Sequence, residues 1–336
     1  MSIRLTTGAM AAFANAVPTV PRPASAVRIL QEQVPSIVLI VLFAASALMS
    51  SRFLLPVNLV NILLQASVLG VLAMGATFVV ICGGFDLSAG AAVALSGCAA
   101  AATMLKFGVL AGVVAGMATG TAIGALNGCL IAYVRLNPFI ATLGTMVVVR
   151  GAALLATHGV PISGDDGLPQ NFIAYAQTSF LGVPLLTWTP IVLFLVLGWA
   201  LHLSPYGKKI FATGGNAEAA FLAGIPVQRI RASAYAVGGL TAGIAGVMLT
   251  SRLQSGQPTA AEGYELTSIA AVILGGASLH GGEGRLPMTL VGVFIIVILS
   301  NVLNLLNVDS YWQRIAVGVV ILGAAAVDQL RRRRGF

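Results

Sequence analysis

The sequence predicts an all-α polytopic membrane protein of about ten transmembrane helices, with a parallel internal repeat and one short helix that stays outside the bilayer. Three observations carry that expectation. The 336-residue chain is 58% hydrophobic and only 8% charged, and its mean hydropathy is +0.96. Stretches without Asp, Glu, Lys or Arg recur at 33–51, 53–85, 87–105, 107–134, 232–251 and 286–308, and a helix needs about 20 apolar residues to cross the hydrocarbon core. Finally, "ICGGFDLSAG" at 81–90 lines up with "ILGGASLHGG" at 273–282, matching Ile, Gly, Gly, Leu and Gly at a shift of 192 residues.

In chain order, residues 1–32 carry Arg4, Arg22, Arg28 and several prolines but no small-residue cleavage site after an apolar core. They read as a disordered cytoplasmic tail rather than a signal peptide. The membrane domain follows over 33–328, with spans expected near 34–50, 60–82, 88–105, 108–132, 139–157, 185–203, 230–250, 267–281, 287–305 and 311–327. A basic cytoplasmic tail, 329–336, closes the chain, and its "RRRR" suits a membrane anchor with anionic lipid contact. With the N-terminus inside, Arg135, Lys208, Lys209, Arg229, Arg231, Arg285 and the terminal arginines fall inside too. Arg52, Lys106, Arg252 and Arg314 remain outside, so the excess of cations favours both termini in the cytoplasm. The same dispersal excludes nucleic-acid binding as the reason for the net charge of +8. The shift of 192 residues carries the first four spans approximately onto the last four in the same direction, as a parallel duplication does.

Several side chains stand out against this background. Gly112, Gly116, Gly120, Gly124 and Gly128 recur every fourth residue of one span, a spacing that lines one face and lets another backbone approach. Whether that face packs within the chain or between two copies stays open. Arg150 lies inside the fifth span, where a charge faces protein or a water-filled path unless it snorkels to a surface roughly 10 Å away. Asp86 and Ser88 follow the glycine pair of "GGFDLSAG"; they either cap the next helix or line a path beside broken backbone. Asn127, Asn137, Thr142, Asn301 and Asn304 are further candidates for hydrogen bonding a polyhydroxylated solute. Cys82, Cys98 and Cys129 suit small core positions, with neither disulfide framework nor metal spacing. His158, His202 and His280 are too dispersed for a metal site. The chain has no phosphate-binding loop for ATP hydrolysis and no nucleophile and base pattern, so no enzymatic activity or bound cofactor is expected of it.

The stretch "TGGNAEAAFLAGIP" at 213–226 is polar, short and acidic. Asn216 is a good N-cap, Glu218 falls in the first turn, Phe221, Leu222 and Ile225 gather on one face, and Pro226 ends the helix. It is expected to lie on the cytoplasmic face, either packed on its own bundle or offering an apolar edge. "EAAFLAG" within it resembles the EAA---G signature of binding-protein-dependent ABC importer permeases. "GGFDLSAGAAVALSG" (83–97), "NPFIATLGTMVVVRG" (137–151), "YGKKIFATGGNAEAAFLAGI" (206–225) and "AAVILGGASLHGGEG" (270–284) resemble, in order and spacing, the ribose-type sugar permeases, over about residues 35 to 327. Phe85 and Ala89 depart from the family's usual Ile and Val.

The resemblance implies the membrane subunit of an ATP-driven importer in a bacterial inner membrane, moving a monosaccharide or similar polyhydroxylated solute. It implies as partners ATP-binding subunits that use ATP and Mg, a periplasmic sugar-binding protein at loops 158–184 and 252–266, and a second permease copy. It also makes 216–225 a coupling helix for the ATPase, with Gly215, Asn216, Glu218, Ala219, Ala220, Phe221, Leu222 and Gly224 forming the contact. The alternative is an ion-coupled secondary transporter of a small polar solute, for which Asp86 is the candidate acid.

Overall fold

The computed structural model describes residues 26–333. The chain divides at Pro35 into two units, residues 1–34 and 35–336. Of the first, only the helical residues from Ala26 onward are described, so residues 1–25 of the expected tail 1–32 lie outside, as do residues 334–336 of the basic tail 329–336. Helix α1, Ala26–Met49, carries Pro35 within it.

Among the described residues, the regular structure of the second unit is helical apart from one two-stranded hairpin and an isolated bridge between Ile162 and Gly256. Helices α2 (Pro56–Ile81), α3 (Ala89–Phe107), α4 (Val109–Ala132) and α5 (Pro138–Thr157) follow in turn. A short α6 (Gln170–Gln177) and the antiparallel pair β1 (Ser179–Phe180) and β2 (Val183–Pro184) precede α7 (Leu185–Gly198), which continues through a π-helical turn at Trp199–Leu203. Then come α8 (Pro205–Gly215), α9 (Ala217–Leu222), α10 (Val227–Leu253), α11 (Tyr264–Leu274), α12 (Leu286–Leu305) and α13 (Ser310–Arg333). Among the described residues seven helices are long and apolar enough to cross a membrane: α2, α3, α4, α5, α7 with its π-helical turn, α10 and α12.

The span expected at 267–281 is corrected by the structure. α11 ends at Leu274, and 11 residues rise only about 16 Å, half a hydrocarbon core. The apolar run continues, but the glycine pair Gly275–Gly276 ends the helix: Gly276 takes φ +83°, a conformation open to glycine because it has no Cβ.

The core centres on α10, which is buried along most of its length and packs on α4, α3 and α2. The α4 glycines explain how. A Cβ on Gly120 would overlap Gly239 O and Gly243 N of α10, one on Gly124 would overlap Tyr235 O, and one on Gly128 would stand 2.6 Å from Ala232 O. Gly112 and Gly116 meet α3 in the same way, at Ala100 O (2.6 Å) and Ser96 O (3.0 Å). All five therefore face helices of this same chain, and side chains in their place would push the backbones apart.

Helix register sets the depth of the break between α2 and α3. A Cβ on Gly246 would stand 2.5 Å from Val93 O, and Gly246 lies roughly 28 Å along α10 from Val227. Val93 is in the first turns of α3, so α3 begins part-way along α10 and not level with its start. The turn at 82–88 is thus broken backbone within the bundle, and nearly all of it is buried. A second irregular segment comes from the opposite side. Residues 255–263 run along α3, from Gly256 beside Cys98 and Ala101 to Ala261 and Glu265 beside Gly90.

Candidate functional site

The two glycine-bearing segments, 81–90 and 273–282, meet in the structure. Gly282 N donates to Ile81 O over 2.8 Å, and a Cβ on Gly281 would stand 2.8 Å from Gly83 Cα. Each begins as a helix C-terminus closed by the same pair of bonds. Gly83 N reaches Val80 O and Gly84 N reaches Val79 O; Gly276 N reaches Ile273 O and Ala277 N reaches Val272 O. In both, the residue after the cap is a glycine at positive φ, Gly83 at +81° and Gly276 at +83°, which satisfies carbonyls the helix end would otherwise leave bare. The positive φ falls on the first glycine of one pair and the second of the other, a slip of one residue from the sequence register. Register is restored two residues later, where Asp86 Oδ1 accepts from Ser88 N (2.9 Å) and Ser278 Oγ from His280 N (3.1 Å).

A buried polar chain grows from the first turn. Asp86 Oδ1 also accepts from Ser88 Oγ at 2.6 Å, and Ser88 Oγ accepts from Asn127 Nδ2 of α4 at 2.8 Å. Asp86 is 8% exposed, Ser88 and Asn127 are fully buried, and Asn127 Oδ1 is left without a hydrogen-bond partner. Tyr235 of α10, also fully buried, donates to Phe85 O at 2.9 Å and braces the turn from below. Ser88 stands at the N-cap position of α3 without its side chain capping the helix; its N–H is held by Asp86 instead.

The other candidates lie apart from this chain. Arg150 Nη1 donates to Pro258 O (2.8 Å) and Ala260 O (2.9 Å). Its cation thus serves carbonyls of the segment that descends beside α3, groups that need donors where water is scarce. Asn301 exchanges amide hydrogen bonds with Asn58 (2.8 and 3.1 Å), and Asn58 also donates to Phe53 O. Thr142 bonds back to Pro138 O of its own helix. Asn137 caps α5 by accepting from Phe139 N at 2.9 Å, and Asn304 is exposed at the end of α12. The loops 158–184 and 252–266 are joined by paired bonds between Ile162 and Gly256, both 2.8 Å.

At the far end of the break sits the short helix. Asn216 Oδ1 accepts from Ala219 N at 2.9 Å, Glu218 is exposed in the first turn, and Gly224, at φ +82°, closes the C-terminus with Gly224 N on Phe221 O and Ile225 N on Ala220 O. Ala220 is buried, while Ala219, Phe221 and Leu222 are exposed, Leu222 to 80%. Immediately before the cap, Gly214 of α8 lies against both turns at once: a Cβ there would overlap Ile81 O and stand 2.7 Å from Gly282 N. Gly215 beside it is open, its Cβ position 4.0 Å from Gly282 Cα.

Gly214, Tyr235 and Glu265 were not among the residues singled out from the sequence. Gly214 hides in an ordinary "TGGN"; Tyr235 and Glu265 carry no spacing signal, and the partner of Tyr235 is a backbone carbonyl 150 residues away.

A bundle with seven helices long and apolar enough to cross a membrane among its described residues, broken at paired glycine turns and carrying an exposed capped helix at one end, defines an all-α polytopic membrane protein. Known proteins identify the family. The sequence model described as the branched-chain amino acid transport system / permease component matches residues 58–325. The chain is 45% identical over 303 residues to the ribose import permease protein RbsC of Bacillus subtilis (strain 168), covering 90% of this chain and 94% of that one. It is 42% identical over 307 residues to RbsC of Escherichia coli (strain K12), covering 90% and 95%. It is 39% identical over 298 residues to the L-arabinose ABC transporter permease protein AraH of Azospirillum brasilense, covering 88% and 87%. No solved structure matches the chain. The chain belongs to this permease family, and within it to the ribose-type sugar ABC permeases.

Proposed function

We propose that the protein is the membrane-spanning subunit of an ATP-driven importer for a monosaccharide or similar polyhydroxylated solute, delivered by a periplasmic binding protein. ATP and Mg are used by a partner ATPase, a second permease copy completes the pore, and the assembly lies in a bacterial inner membrane with both termini cytoplasmic. The names of the relatives, ribose and L-arabinose permeases, support the substrate class.

One observation carries the mechanism: the exposed Phe221 and Leu222 edge of α9 is covalently continuous with Gly214, whose backbone rests on the carbonyl of Ile81 and the N–H of Gly282. Backbone against backbone leaves no side chain to absorb a displacement. A push on α9 from the ATPase therefore shifts both turns together and, through Asp86 and Ser88, the start of α3. The buried chain from Asp86 to Asn127 offers acceptors to sugar hydroxyls once the turns part. Arg150 positions the opposite segment and is not itself a substrate ligand.

Ten membrane-embedded elements are completed by α1, α11 and α13 beside the seven long apolar helices. The shared closing bonds of the two turns support a parallel repeat. So does packing, since α10 lies on α3 and, in the other half, Leu39, Leu42 and Ala47 of α1 join the same apolar cluster as Val293 and Ile296 of α12.

The test is ATP hydrolysis by the reconstituted complex of permease, ATPase and binding protein, with pentoses, hexoses and polyols presented in turn. A solute that stimulates hydrolysis and accumulates in vesicles supports the reading. Accumulation that follows an ion gradient and ignores ATP replaces it with ion-coupled transport.

A further inference from the structure

Beneath the first turn, a cavity of about 550 Å³ opens at the α9 end of the bundle, between the end of α4 and the starts of α5 and α10. Its charged wall residues are Arg135 and Arg231; Asn137 and Gln228 add amides, and Gly83 forms part of its boundary. No carboxylate lines it. Arg135 and Asn137 are exposed and Arg231 is half-buried, so the cavity faces solution on one side. Arg231 Nε is buried without a hydrogen-bond partner, and the guanidinium's inward neighbour is the Cys82 thiol. Pro138 and Val227, which head α5 and α10, are both in the wall. The positive ends of two long helices therefore converge on two guanidinium groups. Two cations and two helix starts around an open cavity without a carboxylate ask for a compact, multiply charged oxyanion.

We infer that this cavity is a binding site for a phosphate group, either free in solution as phosphate or a phosphate monoester, or carried by a lipid headgroup. The volume accommodates a phosphate with a sugar-sized substituent. An occupant ties Arg135, just past α4, to Arg231 in the second turn of α10, which follows directly from α9 and Pro226. On the proposed transport reading the site faces the cytoplasm and holds the bundle in one state, so that phosphate acts as a brake on import; binding itself does not depend on that reading.

Binding is measured on the purified chain in nanodiscs, with both faces accessible and no ATPase or binding protein present. In phosphatidylcholine nanodiscs, inorganic phosphate raises the melting temperature relative to chloride at equal ionic strength, and Arg135→Gln or Arg231→Gln weakens its affinity about tenfold or more, as loss of a charge-assisted pair does. Lys208→Gln/Lys209→Gln, on exposed α8, leaves the affinity unchanged. If phosphatidylglycerol nanodiscs give the stabilisation and abolish the response to free phosphate, the headgroup is the occupant. Phosphorus NMR line broadening on the unmodified protein gives the same answer without relying on the folding of variants. The inference is overturned if neither phosphate nor phosphatidylglycerol acts on the unmodified chain, or if both arginine variants respond as it does, or if the Lys208/Lys209 control loses as much.

Discussion

The turn at 82–88 and the turn at 275–282 are built on one backbone plan and finished with different chemistry. Each closes a helix with the same two bonds around a glycine at positive φ, and each then holds the N–H of the second residue on with a side-chain oxygen, Asp86 in one and Ser278 in the other. The first is buried, carries an acid and recruits Ser88 and Asn127. The second turns His280 and Glu283 outward. The two turns thus share their geometry, while only the first holds an acid deep in the bundle, where such a group is expensive and tends to serve function.

The comparison is tested most severely where both turns share a neighbour. Gly214→Val forces apart Ile81, Gly282 and α8, an overpacking cost of about 3 kcal/mol or more, and is expected to eliminate transport. Ala212→Val, on the exposed side of the same helix, is expected to be tolerated. Equal transport by the two variants in vesicles would break the proposed link between α9 and the turns.

Next, Asp86→Ala strands the N–H and hydroxyl of Ser88 and is expected to destabilise by about 3 kcal/mol, against about 1 kcal/mol for Ser278→Ala. Melting temperatures in one detergent read the difference, and equal losses would mean that the acid has no special place in the first turn.

Arg150→Ala removes two charge-assisted bonds to carbonyls, a loss of about 2 kcal/mol, and is expected to expose 255–263 to limited proteolysis. An unchanged cleavage pattern would show that the segment is held by its packing on α3. The smallest effect belongs to Asn216→Ala: about 1 kcal/mol of capping, confined to α9 and read as faster amide exchange at Ala219.

Much of this architecture is legible in sequence, because a bilayer demands long apolar helices and the spacing of charges marks where they stop. The α4 glycines are legible as a face, and Asn216 as a cap, since both rest on local periodicity. α11 is misjudged because hydropathy treats Gly275 and Gly276 as neutral, whereas their backbone freedom ends the helix. The bond between Ser88 and Asn127 spans 39 residues, and nothing local announces it. The partners of Arg150, the carbonyls of Pro258 and Ala260, are groups common to every residue type, so no sequence pattern announces them.

The reciprocal amides of Asn58 and Asn301 tie α2 to α12 at the end remote from the turns, and the hydroxyls of Thr77 and Thr289 tie the same two helices close to the first turn. The two ties stand roughly 28 Å apart along α2. Helices fastened to each other at two levels that far apart resist sliding, so whatever shifts the first turn carries the start of α12 with it.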